Sequence, residues 1–399
     1  MKTRLLLSLL ISLSAGLLDL RAAEPPLQEV VRDSLDFSAA QYSRMLARLD
    51  GRSGYPRSVA KGEMTLVRAN DWTSGFFPGS MWYLFEATGD PKWRAAAAKF
   101  TAGLESVKDN RGTHDLGFVL YCSYGNGFRL TGDAAYRSVL LAGAQSLSTR
   151  FNSNVGSLKS WDGRKQWPFP VIIDNMMNLE LLLWAAKAAG APRFRDIALS
   201  HADTTLHNHF RADGSSYHVV DYDPVSGKVR SRVTHQGAAD ESAWARGQAW
   251  GLYGFTMMYR ETREARYLEH AKKIAAFLLN HPRLPADKVP YWDFDAPNIP
   301  AAPRDSSAAA IMCSALWELS DYVDTATARG YRAVAEQQLR SLASPVYRAK
   351  PGENHDFLLM HATGNFPRND EIDVPINYAD YYFLEALLRC KARLAPMAP

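Results

Sequence analysis

Two aspartates stand in surroundings that change what a carboxyl group can do. Asp174 follows three aliphatic residues in Val171-Ile172-Ile173-Asp174-Asn175-Met176-Met177-Asn178, and Asp115 lies in Thr113-His114-Asp115-Leu116-Gly117-Phe118. Partial desolvation raises a carboxyl pKa, which is the property a general acid needs near neutral pH. Paired carboxylates in an aromatic-walled pocket are the usual equipment for sugar chemistry. The chain has 10 Trp, and Trp72, Trp82, Trp161, Trp167, Trp244 and Trp250 fall near the same segments, offering faces on which a pyranose can stack.

The densest polar constellation runs from Thr234 to Gly251 and contains His235, Gln236, Asp240, Ser242, Trp244, Arg246, Gln248 and Trp250. On a helix beginning near Asp240, Ser242, Arg246 and Trp250 recur every fourth residue, so a hydroxyl, a guanidinium and an indole share one face. A buried Arg needs an anion, either an Asp from a neighbouring element or a substrate carboxylate, and the sequence leaves both open. Asp71, Asp240 and Asp305 read first as helix N-caps, and Asp380 beside Tyr378 also lies at a helix entry. His201, His207 and His209 lack metal-ligand spacing and read as surface histidines. Nucleophile-elbow, phosphate-loop and dinucleotide motifs are absent from the sequence.

Positioning these groups requires elements whose ends coincide with them. A punctuation mark recurs between helical patterns: Thr88-Gly89-Asp90 before Trp93, Thr131-Gly132-Asp133 before Tyr136, and Gly190-Ala191-Pro192 before Phe194, with degenerate copies at 261–263 and 324–325. Gly ends one helix in the left-handed conformation and Asp or Pro starts the next. Paired helices follow at 72–88 and 92–107, 115–131 and 133–150, 174–189 and 192–209, 242–261 and 264–281, and 306–320 and 325–342, with 27–48 and 377–394 as a sixth pair. Links within pairs are short, whereas several segments between pairs run to about 24 to 35 residues. The pattern predicts an all-α toroid of six hairpins with one elaborated rim; an open solenoid shares the period and differs only in closure. The first helix of each pair is the more apolar, as a buried inner layer requires, and Leu179–Ala189 and Ala308–Leu316 read as buried all round. Ser216–Val220 and Lys228–Val233 read as a short β-ribbon in one long loop.

The composition bounds the function class. The 399 residues are 47% hydrophobic and 22% charged, enough for a large core. Lys2 and Arg4 precede the apolar run Leu5–Leu18 and a small-residue stretch at Ala22-Ala23, the pattern of a secretory signal over residues 1–23, with 24–399 as a single catalytic domain. The expected location is outside the cytoplasm, in a periplasm. That leader takes two positive charges from the formal +4, and no polybasic run points to nucleic acid. No later apolar stretch approaches the roughly 20 residues of a membrane span. Cys122, Cys313 and Cys390 are too few and too scattered for a disulfide framework and read as buried thiols. Oligomeric state is left open.

With these motifs in order, the chain resembles glycoside hydrolase family 88, the unsaturated glucuronyl hydrolases. The resemblance rests on Asn70–Gly79, His114–Phe118, Asp174–Asn178, His235–Gly251 and Asp380–Leu387, and covers most of the mature chain. It implies an (α/α)6 barrel and substrates that are unsaturated uronic-acid oligosaccharides left by polysaccharide lyases, with no metal or organic cofactor. It also implies that Asp174 protonates C4 of the C4=C5 double bond and assists water addition at C5, with Asp115 holding ring hydroxyls and keeping Asp174 protonated. His218, Gln236, Trp244, Arg246 and Trp250 become substrate contacts by motif position, Arg246 near the uronate carboxylate, with Trp72 and Trp161 at the rim. Some relatives read sulfate with Ser and Lys before the last helix, where Thr363–Asp373 here offers Thr363 and Arg368, so unsulfated or weakly sulfated uronides are expected. The alternatives are an unsaturated rhamnogalacturonyl hydrolase acting on pectin fragments and a non-catalytic oligosaccharide-binding protein.

Overall fold

Helix ends set the architecture. Gly89, Gly132 and Gly190 each close a helix at φ of 70°, 70° and 61°, a conformation that costs a Cβ-bearing residue more than Gly. Asp90, Asp133 and Asp324 then accept backbone N–H bonds and start the next helix, while Pro192 does so by its fixed φ. The computed structural model describes residues 24–163 and 165–394, so the expected leader lies outside the described residues. The helices are α1 (Leu27–Arg48), α2 (Phe76–Thr88), α3 (Pro91–Ala102), α4 (Asn126–Thr131), α5 (Ala134–Ser148), α6 (Leu179–Ala189), α7 (Pro192–Asn208), α8 (Ala245–Thr262), α9 (Ala265–Asn280), α10 (Ser306–Leu319), α11 (Thr325–Ala343) and α12 (Asn377–Leu394).

Ring closure follows from which helices touch. α2 packs on α4 and the π-helical stretch before it, Gly117–Gly125; that stretch packs on α6, α6 on α8, α8 on α10, α10 on α12, and α12 on α2. The other six helices lie outside this inner ring, each against its hairpin partner, and the result is a closed (α/α)6 barrel. The polarity difference read in the sequence has its cause here. All fourteen residues of α10 are buried, as are residues 245–258 of α8, because neighbours cover every face. Leu179–Ala189 departs from the expectation in its last turn, where Lys187 and Ala189 reach solvent at the far end of the barrel.

The long connections gather at one rim and carry the strands. These are β1 (Tyr55–Ala60) with β2 (Glu63–Val67), β3 (Phe151–Asn152) with β4 (Ser157–Leu158), the three-stranded β5 (Pro170–Ile172), β6 (Val219–Tyr222) and β7 (Val229–Val233), and β8 (Ala362–Asn365) with β9 (Asp370–Val374), all antiparallel. The expected ribbon is present and extended by β5. Two histidines correct the sequence reading: His201 and His209 are fully buried, not on the surface. His201 is on the inward side of α7 and His209 caps its C-terminus; His201 Nδ1 accepts the Leu158 N–H at 3.0 Å, and burial lowers its pKa to about 3. The three cysteines are buried free thiols.

Close approach explains Gly75. A Cβ there would lie 2.3 and 2.5 Å from the carbonyl oxygens of Val119 and Phe118, which are backbone and cannot turn aside. Gly330, exposed in α11, has nothing within 4 Å of that position. Gly75→Ala is therefore expected to destabilise by about 2–3 kcal/mol, and Gly330→Ala to stabilise by up to about 1 kcal/mol. Urea unfolding of both variants checks the pair, and equal effects would contradict the packing.

Candidate active site

Asp174 reaches the pocket because β5 pairs with β6 up to the mouth of the barrel, and the Ile173 N–H, bonded to the His218 carbonyl at 3.1 Å, turns the chain into a 3-10 helix, Ile173–Asn178. Asp174 is 7% exposed, and burial pushes its carboxyl up to about 7. Arg246 pulls it down, and Asp115 raises it further. Asp174 Oδ2 has no hydrogen-bond partner.

Asp115 enters from the turn before the π-helical stretch. Thr113 Oγ1 donates to its Oδ2 at 2.6 Å, and His114 Nε2 lies 3.2 Å from its Oδ1. Burial lowers the His114 pKa, so the ring is neutral and donates through Nε2. The irregular helix has a packing cause: Gly117 is pressed against Asn178, whose Cα would meet a Cβ at 2.5 Å, and Asn178 Oδ1 accepts the Phe118 N–H at 2.9 Å. The two acid-bearing segments are thus locked to each other.

His218 is fixed in one tautomer. Its Nδ1 accepts the backbone N–H groups of His235 and Gln236, each at 3.1 Å, so the ring proton resides on Nε2. Burial holds its pKa well below the ordinary value, and the Nε2–H points toward Asp174 Oδ2, 3.9 Å away, without a partner. Arg246 Nε and Trp250 Nε1 are also buried without partners. An N–H donor and a carboxyl oxygen left unpaired 3.9 Å apart are what a ligand-binding site looks like before its ligand arrives.

Arg246 resolves the choice left open by the sequence in favour of an internal pair. Its Nη1 donates to Asp305 Oδ2 at 3.3 Å and to the Thr363 carbonyl at 2.5 Å, and Nη2 to the Gly364 carbonyl at 2.6 Å. The terminal nitrogens expected to meet a substrate carboxylate are therefore committed, leaving the Nε edge. Asp305 also caps α10, accepting from Ser307 and Ala308 N–H, as its sequence position suggested. Asp71 likewise serves its own turn, accepting the Thr73 N–H and hydroxyl.

The aromatic residues divide into two kinds. Trp244 and Trp250 are buried: Trp244 lies between the His218 ring, centroids 4.5 Å apart, and the Arg246 guanidinium at 4.4 Å, and Trp250 packs on Phe118 and Tyr382. They form the wall and floor and do not present the open ring faces expected of them. Trp72 and Trp161 are partly exposed and line a cavity of about 190 Å³ together with Asp115, Asp174, Gln236 and Arg246. A larger cavity of about 640 Å³ opens at the opposite end, beyond the layer of Phe118, Trp250 and Tyr382. Its charged groups are paired with one another, as in Arg129 with Glu86 and Arg260 with Glu180, so the smaller cavity is the better candidate.

Arg57, Asn365, Asp370, Glu371 and Tyr378 also line the small cavity. All but Tyr378 were missed as site residues, since they sit in hairpins without a local chemical motif.

Comparison with known proteins finds relatives that match over most of the chain. The Glycosyl Hydrolase Family 88 model matches residues 55–349. An unsaturated glucuronyl hydrolase of Formosa agariphila is 49% identical over 343 residues, 85% of each chain. The crystal structure of an unsaturated glucuronyl hydrolase specific for heparin superposes with a TM-score of 0.89 at 50% identity, covering 92% of this chain and 98% of that one. That of the Bacillus sp. GL1 unsaturated glucuronyl hydrolase, described as responsible for the degradation of glycosaminoglycan, gives 0.85 at 32% identity with the same coverage.

The Asp174 environment makes a stability prediction. The folded carboxyl keeps its proton up to about pH 7, whereas an unperturbed one releases it near 3.8. Between those values the folded state binds the extra proton, so wild-type stability falls as pH rises through that window and levels off above it. Asp174→Asn cannot ionise, so its stability relative to wild type should climb by up to about 4 kcal/mol across the window. Urea unfolding from pH 4 to 8 measures it, and a flat difference would show that the carboxyl is not raised.

Proposed function

The chain belongs to glycosyl hydrolase family 88, and we propose that it is an unsaturated glucuronyl hydrolase that hydrates the C4=C5 double bond of the non-reducing-end uronate in polysaccharide-lyase products. The observation that carries this reading is the unpartnered oxygen of a carboxyl raised to about 7 in a cavity of about 190 Å³ that Arg246 also lines, with the unpartnered His218 N–H 3.9 Å from that oxygen. A protonated carboxyl at neutral pH is an acid ready to act, and the donors suit the uronate carboxylate and ring oxygens.

The double bond is a vinyl ether, so the reaction begins with protonation and not with displacement at the anomeric carbon. Asp174 gives its proton to C4, and the positive charge that develops at C5 is shared with the ring oxygen. Water adds to C5 and yields its proton to the Asp174 carboxylate, restoring the acid. The resulting hemiketal opens by breaking the C5–O5 bond, leaving a ketone at C5 and a hemiacetal at C1, which expels the remaining saccharide as an alcohol. One water is consumed and no electron is transferred.

Asp115, held by Thr113 and His114, is positioned to meet ring hydroxyls, and its charge favours the protonated form of Asp174. Trp72 and Trp161 serve as ring platforms at the mouth, and Trp244 keeps His218 and Arg246 in place. Gln236 lines the cavity while its side-chain amide is tied to the Gly364 carbonyl at 3.0 Å. Asp370 at the lip supports a preference for weakly sulfated leaving sugars, and the heparin-specific structural relative makes heparin-lyase disaccharides the first series to try. We extend the proposal to export directed by residues 1–23, which fractionation of expressing cells would test.

Incubation with lyase-generated disaccharides is expected to remove the ultraviolet absorbance of the conjugated double bond; persistence of the band on every uronide tested would sink the reading. Asp174→Asn should lower kcat by about three to four orders of magnitude, and a variant within tenfold of wild type would place the acid elsewhere. Wild-type kcat/KM should decline above about pH 7, as Asp174 loses its proton. On matched disaccharides the unsulfated member should give the higher kcat/KM, and the reverse order would remove the lip-charge argument.

A further inference from the structure

Arg57 projects from β1 into the mouth of the small cavity, its side chain 21% exposed, and joins two walls that are far apart in sequence. On one side its Nε and Nη2 donate to both oxygens of Glu371 in β9, at 2.7 and 3.0 Å. On the other, Nη1 donates to both oxygens of Asp71, at 3.2 and 3.0 Å, and the guanidinium carbon lies 6.0 Å from the Trp72 ring. Asp71 in turn accepts the Thr73 N–H and hydroxyl at 2.9 and 2.6 Å, which fixes the turn that carries Trp72.

The Glu371 end is equally constrained. Glu371 has a φ of 51°, a left-handed conformation that a residue with a side chain holds only when its surroundings insist. Its side chain lies so close to Gly364 that a Cβ there would come within 2.5 Å of Glu371 Oε2. The Gly364 carbonyl accepts from both Arg246 and Gln236. One guanidinium thus spans from the Trp72 segment to the hairpin that supplies Gly364, Asn365, Asp370 and Glu371 to the cavity lining.

We propose that Arg57 is a specificity-determining positioning residue, which sets the width of the pocket mouth by tying the Trp72 wall to the β8–β9 hairpin and so governs how the leaving saccharide is seated. Proton transfer at Asp174 is not its task. Arg is suited to this place because its planar fork engages two carboxylates at once, which an ammonium group cannot do with the same geometry. The inference rests on the proposed reaction, since it needs a substrate whose second sugar lies over the lip.

The test is steady-state kinetics of wild type, Arg57→Gln, Arg57→Lys, Glu371→Gln and the Arg57→Gln/Glu371→Gln double variant on one unsaturated disaccharide. Arg57→Gln should raise KM about tenfold with kcat within about threefold of wild type, and Arg57→Lys should fall between them. Glu371→Gln should raise KM as well, and the double variant should be no worse than the poorer single one, because both act through one contact. The high-pH limb of the rate profile should stay in place. An unchanged KM, a loss confined to kcat, or fully additive effects on KM would overturn the inference. Should Arg57→Gln not fold, Glu371→Gln alone decides by its KM. A wild type inactive on every disaccharide would instead count against the proposed reaction.

Discussion

A guanidinium placed where water cannot reach it has to be neutralised by the fold itself, and the rest of the site hangs on how this is done for Arg246. It is 1% exposed, as deeply buried as the aromatic rings around it. Removing such a charge from water costs several kcal/mol, which only an anion and well-placed acceptors offset. Asp305 supplies the anion from the N-terminus of α10, and the carbonyls of Thr363 and Gly364 supply the acceptors from β8. Satisfying one residue of α8 therefore draws together the next inner helix and the last rim hairpin. The same charge also reaches Asp174 and restrains the rise that burial alone would impose on its pKa.

Asp174 shows why this restraint matters. With burial acting alone, the carboxyl would hold its proton too tightly to release it; with a full salt bridge it would be ionised and useless as an acid. Arg246 stands close enough to act on Asp174 but is bonded to Asp305, so it moderates without neutralising. The value of about 7 expresses that compromise.

Much of this molecule was legible because its decisive signals are local. A left-handed Gly followed by an Asp cap fixes two of the hairpins within four residues, and the weaker marks at the other helix ends put their boundaries within a few positions, although α8 starts at Ala245, so Asp240 does not cap it and Ser242 lies in the loop before it. The raised carboxyl of Asp174 was visible because its aliphatic neighbours announce desolvation. What stayed hidden depends on contacts between distant segments. The π-helical stretch after Asp115 and the 3-10 turn under Asp174 meet where Gly117 packs on Asn178, a contact that no periodicity records. Trp244 and Trp250 looked like platforms because exposure is decided by ring closure, and closure put them inside the wall. His201 and His209 were misplaced for the same reason, and Arg57 was overlooked because its partners are 14 and 314 residues away.

The floor of Phe118, Trp250 and Tyr382 separates the small cavity from the one at the opposite end of the barrel. A cul-de-sac imposes traffic rules. Whatever occupies its deepest point went in first and must come out last, so of the two fragments produced by a cleavage the outer one departs before the inner one. The inner fragment then stands in the doorway of the next turnover, and a chain can lose only the unit at its tip.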